Sequence, residues 1–189
     1  MAIRIPTFQT VVDPTGLDRA LASIATRLAD ISWMNYSFGL CHKILDENGN
    51  KPVLYLNDGL EHYPVYPNED LGNFSVFDRY EGDVVNDFPG RRINEYRTKV
   101  GLIFWGDLRE IYAADWRQRT REHVRADLME TLRNSSFRYA KIEPLEFYYE
   151  GRNIYPDYSI SELDSQFLMR PFVGMRIDMF VTYNNETYC

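Results

Sequence analysis

The sequence has few of the residues that build catalytic and metal centres. Among 189 residues it contains two cysteines, Cys41 and Cys189, and three histidines, His42, His62 and His123. No two of the histidines share a ligand spacing, so we expect no bound metal and no cofactor. A chain long enough to bury a core also does not need the disulfide framework of a small secreted domain. We expect Cys41 to be a small buried residue in a reducing compartment, and Cys189 has no inferred role.

Motifs of the common enzyme classes are missing as well. The chain has no nucleophile elbow, no P-loop and no dinucleotide fingerprint. Carboxylates are plentiful, but none lies in an apolar setting that would raise its pKa for acid–base catalysis. We therefore predict that the chain is not an enzyme. An enzyme with an unrecognised site stays open as an alternative. The carboxylates considered are Glu61, Glu69, Asp70, Asp78, Asp157, Glu162 and Asp164.

Basic clusters and long apolar runs are also lacking. Lysine and arginine number 21 against 28 aspartates and glutamates, which gives a net charge of −7 and a pI near 5.0. Phosphate binding needs a basic surface, so nucleic acid is not the expected main partner. No window approaches about eighteen consecutive apolar residues, and the N-terminus lacks an apolar signal region. We predict a soluble protein, made in the cytoplasm, without a membrane partner.

Apolar and aromatic residues are abundant, and their spacing predicts two helices. They make up 44% and 15% of the chain, which indicates a globular protein that is rich in strands, prone to interfaces, or both. An apolar stripe spaced 4, 3, 4 and 3 from Leu17 to Ile31 predicts an amphipathic helix over about 14–32, with Asp13 as its N-cap. A stripe at every fourth residue predicts a second helix over about 116–133, with Asp115 as its N-cap.

Strand signals complete the predicted fold. Alternation over 175–183 predicts a strand with one buried face, and the unbroken apolar run over 100–105 predicts a central strand. Residues 39–45 and 53–56 flank an Asn-Gly turn and predict a hairpin, and 137–149 leans towards β-structure. The chain reads as one α+β domain over 1–189, with a mainly antiparallel sheet packed by two helices and a long loop or β excursion.

Two polar features of the predicted sheet have alternative readings. Arg176 and Asp178 share the polar face of the last strand. They are either a solvated ion pair that adds little to the stability of the fold, or a contact to a neighbouring subunit. The excursion over 57–93, in which the sequence allows short strands around 74–77, is either a set of partner contacts, which we favour, or a passive surface loop. Pro171 and Gly174 predict an edge, a bend or a bulge. We expect residues 166–173 to leave the core and to contact a neighbouring subunit. The interface candidates are Tyr63, Tyr66, Phe74, Phe77, Tyr80, Phe88, Arg170 and Phe172.

Four stretches together resemble a known family. They are the helix over 17–31 followed by Trp33, the segment 100–109, the charged helix after it, and the segment 166–176. In this order they are similar to tail-terminator or head–tail joining (neck ring) proteins of tailed phages, as in Bacteroidales and crAss-like phages. Such proteins have an α/β sandwich-like core and carry structural rather than catalytic motifs.

The resemblance implies a structural virion protein. Its expected partners are copies of itself in a hexameric or dodecameric ring and the adjacent portal, adaptor or tail proteins. Genome DNA would pass through the lumen without specific binding, past an acidic wall that repels it. The alternative is a protein-binding or assembly factor that is absent from the mature particle.

Overall fold

The computed structural model describes residues 7–47, 49–57, 59–67, 70–86, 95–159 and 169–184. Its helices and its mixed, largely antiparallel sheet confirm the predicted α+β class. A 3₁₀ helix (Ala113–Gln118) separates α2 from α3. The other elements in chain order are α1 (Gly16–Ala29), β1 (Tyr36–Leu40), β2 (His42–Asp46), β3 (Gly49–Tyr55), β4 (His62–Pro64), β5 (Phe74–Arg79), β6 (Val84–Asn86), β7 (Glu95–Asp107), α2 (Leu108–Tyr112), α3 (Arg121–Asn134), β8 (Lys141–Tyr148), α4 (Gly151–Ile154) and β9 (Phe172–Asn184).

The central sheet is built around the longest strands. Its order is β1-β5-β7-β9-β8, and β6 pairs with the first residues of β7. β1 is parallel to β5, and the other neighbours are antiparallel. β7 carries the apolar run over 100–105 and lies between β5 and β9, which confirms that it is a central strand. A second sheet of order β2-β3-β4 contains the predicted hairpin, with Asp46 opposite Gly49.

Each face of the central sheet buries its own hydrophobic core. Leu102 of β7 and Ile177 of β9 point to one face, where α1 and α3 cover them with Leu21 and Leu128. Ile103 points to the other face, because successive residues of a strand alternate in direction. That second core is closed by the small sheet and by the segment around α4. Its cover includes Leu54, Val65, Ile154 and Tyr155.

Both predicted helices form, with different boundaries. α1 begins at Gly16 after Thr15, so Asp13 is not its N-cap; the positive φ of Asp13, 48°, places it outside the entry to the helix. The predicted second helix is broken, because Arg119 is extended, with φ −97° and ψ 152°. The 3₁₀ helix therefore ends before α3 starts, and Thr120 rather than Asp115 is the N-cap of α3.

The predicted excursion over 57–93 is only partly at the surface. β5 lies within it and inserts into the central sheet between β1 and β7. Phe74 and Phe77 are 0% exposed and Tyr66 is 7% exposed, so the prediction that these three aromatics are accessible is wrong. Prolines, glycines and acidic residues flank β5, and this composition is typical of a surface loop. The sequence nevertheless allowed a short strand near Phe74–Phe77, and this strand lies in the core. Phe88 lies outside the described residues.

The last strand is more deeply buried than its pattern predicts. Arg176 and Asp178 of β9 are 6% and 1% exposed, so the solvated pair is a wrong prediction. Gly174 pairs with Trp105 of β7 without a register shift, so no bulge occurs there. The pairing of β9 with β8 begins only at Arg176, so β9 at Gly174 lies at an edge, which is one of the predicted alternatives. A Cβ there would lie 2.5 Å from the ring of Trp105, which explains the glycine. Val173 is buried, so the chain has already entered the core at this point.

Candidate functional site

Arginines are concentrated at one end of the central sheet. Residues 109–125 contain five arginines against three carboxylates, although the whole chain has a net charge of −7. α2, the 3₁₀ helix and the start of α3 carry them, and the turn before β9 adds Arg170. We define Arg117, Arg119, Arg121 and Arg170 as the arginine face. It is a local basic surface on an acidic protein.

Each guanidinium of the arginine face lies against an aromatic ring. Cations within about 6 Å of a ring centroid are attracted by the ring's electron-rich face. The stacking also holds the side chain in place, while the N–H groups at the edge of the guanidinium plane keep their direction for a partner. The distances to the ring centroids are 5.0 Å for Arg117 and 5.6 Å for Arg170 at Trp116, 5.1 Å for Arg119 at Tyr112, and 5.2 Å for Arg121 at Tyr149.

Arg170 also fastens the turn before β9 to the 3₁₀ helix. Its Nη2 donates to the carbonyls of Trp116 and Arg119, each at 3.0 Å, and to that of Arg117. Carbonyls at the end of a helix lack partners within the helix, so a cation placed there satisfies them. The predicted interface residue Arg170 therefore has a structural role, which leaves Arg117, Arg119 and Arg121 as the freer charges of the arginine face.

A cavity of about 230 Å³ opens between these arginines. Arg119, Arg121 and Arg170 line it together with Tyr149 and Phe172, while its inner wall is apolar. No arginine of the arginine face lies within 4 Å of a carboxylate in the described ranges. The arginines on either side of them in the chain do have carboxylate partners: Arg109 pairs with Asp107 at 2.5 Å, and Arg125 pairs with Glu122 at 2.6 Å. The arrangement can bind a planar anion, either a carboxylate or a phosphate.

The ring of Tyr112, against which Arg119 lies, is held in place by contacts to α3. Its hydroxyl donates to Oδ2 of Asp127 at 2.7 Å, and burial together with this bond raises the pKa of Tyr112. The phenol therefore stays neutral near pH 7 and remains a donor. The ring of His123 packs edge-on against Tyr112, and its Nδ1 accepts from the backbone N–H of Thr120 at 3.2 Å. This contact fixes the first turn of α3, which carries Arg121.

The eight predicted interface residues do not form one surface. Arg170 and Phe172 are brought together at the arginine cavity. Tyr63 is half-buried on the small sheet, edge-on to Phe8 at 5.8 Å, and Tyr80 lies over β7 beside Gly101. Sequence reasoning missed the arginine face itself. The signal was available in the alternation of arginine with other residues over 117–121, but the apolar stripe places that stretch within the helix predicted over about 116–133.

A second missed feature is a buried ionic cluster on the face of the sheet away from α1 and α3. The guanidinium of Arg176 lies between the rings of Tyr80 and Tyr148, 4.7 and 4.3 Å from their centroids. Its Nε is 2.7 Å from Oδ1 of Asp178 without hydrogen-bond alignment, and its Nη2 donates to Oδ2 at 3.3 Å. Lys99 is 3.4 Å from Oδ2 of Asp178. The cluster joins β5, β7, β8 and β9.

Asp78 lies in the same layer and is bonded on one side only. Its Oδ1 accepts from the hydroxyl of Tyr158 at 2.8 Å, while Oδ2 has no partner among the described residues. The Tyr158 hydroxyl is also 3.6 Å from the sulfur of Cys41. Burial raises the pKa of both Asp78 and Cys41, with the Tyr158 bond opposing it in each case. The prediction that no carboxylate lies in a setting that raises its pKa is therefore wrong for Asp78. A neutral thiol with 6% exposure is a packed core group, as predicted for Cys41.

Comparison with known proteins gives no family assignment. The chain matches no protein-family model, and no curated protein matches it. In the part of the chain that the structure describes, no three His, Cys, Asp or Glu side chains are grouped to hold a metal ion. None of the described helices is long and apolar enough to cross a membrane. The arginine face is therefore the candidate functional site on geometric grounds.

Proposed function

We propose that the chain is a structural virion protein that forms a ring in the head–tail connector of a tailed bacteriophage. In this function it joins the portal or adaptor to the tail around the DNA channel. The single observation that carries the proposal beyond the family resemblance is the arginine face. Arginine, tryptophan and tyrosine are the residues that dominate protein–protein contacts. Here Arg119 and Arg121 stack on rings beside a cavity and lack carboxylate partners in the described ranges.

The charge distribution supports placing this surface between subunits rather than in the channel. Free arginines on a channel wall would hold the genome by its phosphates, whereas an acidic wall lets DNA slide. With a net charge of −7, the remaining surface supplies the acidic character. The basic surface then faces protein, and the acidic surface faces the lumen.

The test is the composition of purified phage particles. We expect quantitative mass spectrometry to find the chain in about six or about twelve copies per particle, as the resemblance implies, and cryo-electron microscopy to place it between portal and tail. A chain that is missing from mature particles but bound to neck proteins in infected cells would assign it instead to the alternative, an assembly factor. A chain found in neither fraction would overturn the proposal.

A further inference from the structure

The cavity beside the arginine face combines positive charge with an apolar interior. Arg119 and Arg121 line it together with Arg170, which is turned towards backbone carbonyls. Trp105 and Leu108 line it as well, and they are only 2% and 1% exposed, so they form its inner wall. A ligand that fills this cavity therefore needs an anionic group and an apolar group side by side.

The size of the cavity favours a side chain over a free small molecule. Pockets for drug-sized ligands commonly measure about 300–1,000 Å³ and bury most of the ligand. The cavity of about 230 Å³ lies below this range. A nucleotide or a large cofactor would be left partly outside it, whereas one or two side chains of a partner protein can enter.

A carboxylate suits this cavity better than a phosphate does. Arg119 and Arg121 present planar forks of donors, which match the two oxygens of a carboxylate. The carboxylate of a side chain also stands on a hydrocarbon stem, which can lie against the apolar interior. Nucleic-acid binding depends on many phosphate contacts, and a chain of net charge −7 repels a polyanion at longer range. We therefore expect an acidic side chain of a protein.

We propose that the cavity receives a glutamate or aspartate side chain and an adjacent large apolar side chain, both from one segment of a different protein of the particle. This rests on the proposed function, for which it names the chemistry of the partner. The carboxylate accepts from Arg119 and Arg121, and the apolar side chain lies against the inner wall. Stacking on Tyr112 and Tyr149 already orders the two guanidiniums, so binding costs little further side-chain entropy.

A second copy of this chain is a weaker source of that segment. At two places in the described residues, a carboxylate beside an exposed apolar side chain already has a partner. Asp83, beside Val84, pairs with Arg79 at 3.2 Å. Glu146, beside Leu145, accepts from a tyrosine hydroxyl. Either carboxylate would have to give up its partner before it entered the cavity, which favours a different protein.

The test titrates the full chain with four capped tetrapeptides and follows its amide signals by nuclear magnetic resonance. The first probe, acetyl-Gly-Glu-Phe-Gly-amide, carries both groups. In the others, Gln replaces Glu, Gly replaces Phe, or phosphoserine replaces Glu. We expect the first probe to bind at least about ten-fold more tightly than the Gln and Gly probes, which lack the charge or the apolar group. The phosphoserine probe should bind no more tightly than the first.

A charge-conserving variant assigns the binding to the guanidinium forks. Arg119→Lys/Arg121→Lys keeps both charges and removes the paired donors, so it should bind the first probe at least about ten-fold more weakly. Arg133→Lys/Arg138→Lys is the control at exposed positions outside the cavity, and Arg138 also lies over a ring, 5.3 Å from its centroid. The control should bind like the wild type. Circular dichroism checks that both variants are folded.

Several results would overturn the proposal. They are a wild type that does not bind the first probe, equal binding of the Glu and Gln probes, and unchanged binding by Arg119→Lys/Arg121→Lys. Tighter binding of the phosphoserine probe would make the cavity a phosphate site instead. If sedimentation velocity shows self-association that the first probe abolishes, a second copy rather than a different protein occupies the cavity.

The composition of the particles tests the proposed function separately. If the chain is present in particles and the first probe does not bind, the proposed function survives and this inference fails. If the probes and variants behave as expected in a chain that is absent from particles, the acidic and apolar specificity of the cavity stands, while the proposed function and a partner within the particle are both overturned.

Discussion

Asp78 has one carboxylate oxygen bonded and one without a partner among the described residues. Leaving a buried acceptor unsatisfied costs about 1–3 kcal/mol. Burial raises the pKa of Asp78 above its ordinary value of 3.8, so the folded protein binds this proton more tightly than the unfolded chain does. The stability that depends on Asp78 is therefore greatest at low pH, and it falls as the pH rises through the window between the unfolded and folded pKa values.

Asp78→Asn should raise the free energy of unfolding by on the order of 1 kcal/mol at pH 7. The amide oxygen keeps the bond from Tyr158, and the buried charge is removed. The gain over the wild type should shrink as the pH is lowered and disappear below about pH 4, where the unfolded aspartate is protonated as well. Urea unfolding at several pH values measures this difference. Asp115→Asn, at an exposed position, is the control and should stay within about 0.5 kcal/mol of the wild type throughout. A gain that does not depend on pH would contradict the explanation.

At the scale of elements, β9 carries an ion pair that its sequence does not distinguish from a surface pair. Arg176 and Asp178 are spaced like any two residues on the polar face of a strand. Their burial is decided by Tyr80 and Tyr148, which follow β5 and end β8 and cover the guanidinium from two sides. Gly101 of β7 makes this possible, because a Cβ there would lie 2.5 Å from the ring of Tyr80.

Arg176→Ala should lower the free energy of unfolding by about 3–5 kcal/mol, since it leaves Asp178 buried with Lys99 as its one remaining charged partner among the described residues. Arg27→Ala removes an ion pair whose side chains are 54% and 65% exposed, and it should cost less than about 1 kcal/mol. Urea unfolding of both variants at one pH provides the comparison. Equal losses would show that the cluster around Arg176 does not contribute through burial.

The sequence predicted elements well where one pattern dominates. The α1 stripe, the hairpin of β2 and β3, the central β7 and the long β9 all have clear periodicity, and each forms near its predicted position. Prediction from the sequence failed where contacts with residues distant in the chain determine the local structure. Phe74 is buried because β5 pairs with β7, which places it opposite Trp105. The extended backbone of Arg119 divides the single helix that the periodicity predicts into a 3₁₀ helix and α3. The candidate site was missed for the same reason, because the cavity requires residues 119–121 and 170–172 to meet.

At the scale of the whole molecule, two hydrophobic cores share one sheet. Leu102 and Ile103 are neighbours in β7, yet the first belongs to the core under α1 and α3 and the second to the core under the small sheet. Loss of either core removes one cover from the same strands. The two cores should therefore unfold together, as the predicted single domain over 1–189 requires.

Leu102→Ala and Ile103→Ala should each cost about 2–5 kcal/mol, because both side chains are fully buried. We expect each substitution to shift one common transition, with far-ultraviolet circular dichroism and tryptophan fluorescence giving the same midpoint. Trp33 packs on Phe104 beside the first core and Trp105 lies in the second, so fluorescence reports on both. Val84→Ala, at a side chain that is 62% exposed, is the control and should leave the midpoint nearly unchanged.

If Ile103→Ala moved the fluorescence transition while the circular dichroism signal of the helices kept its wild-type midpoint, the cores would be independent. The chain would then consist of two folding units joined through β7.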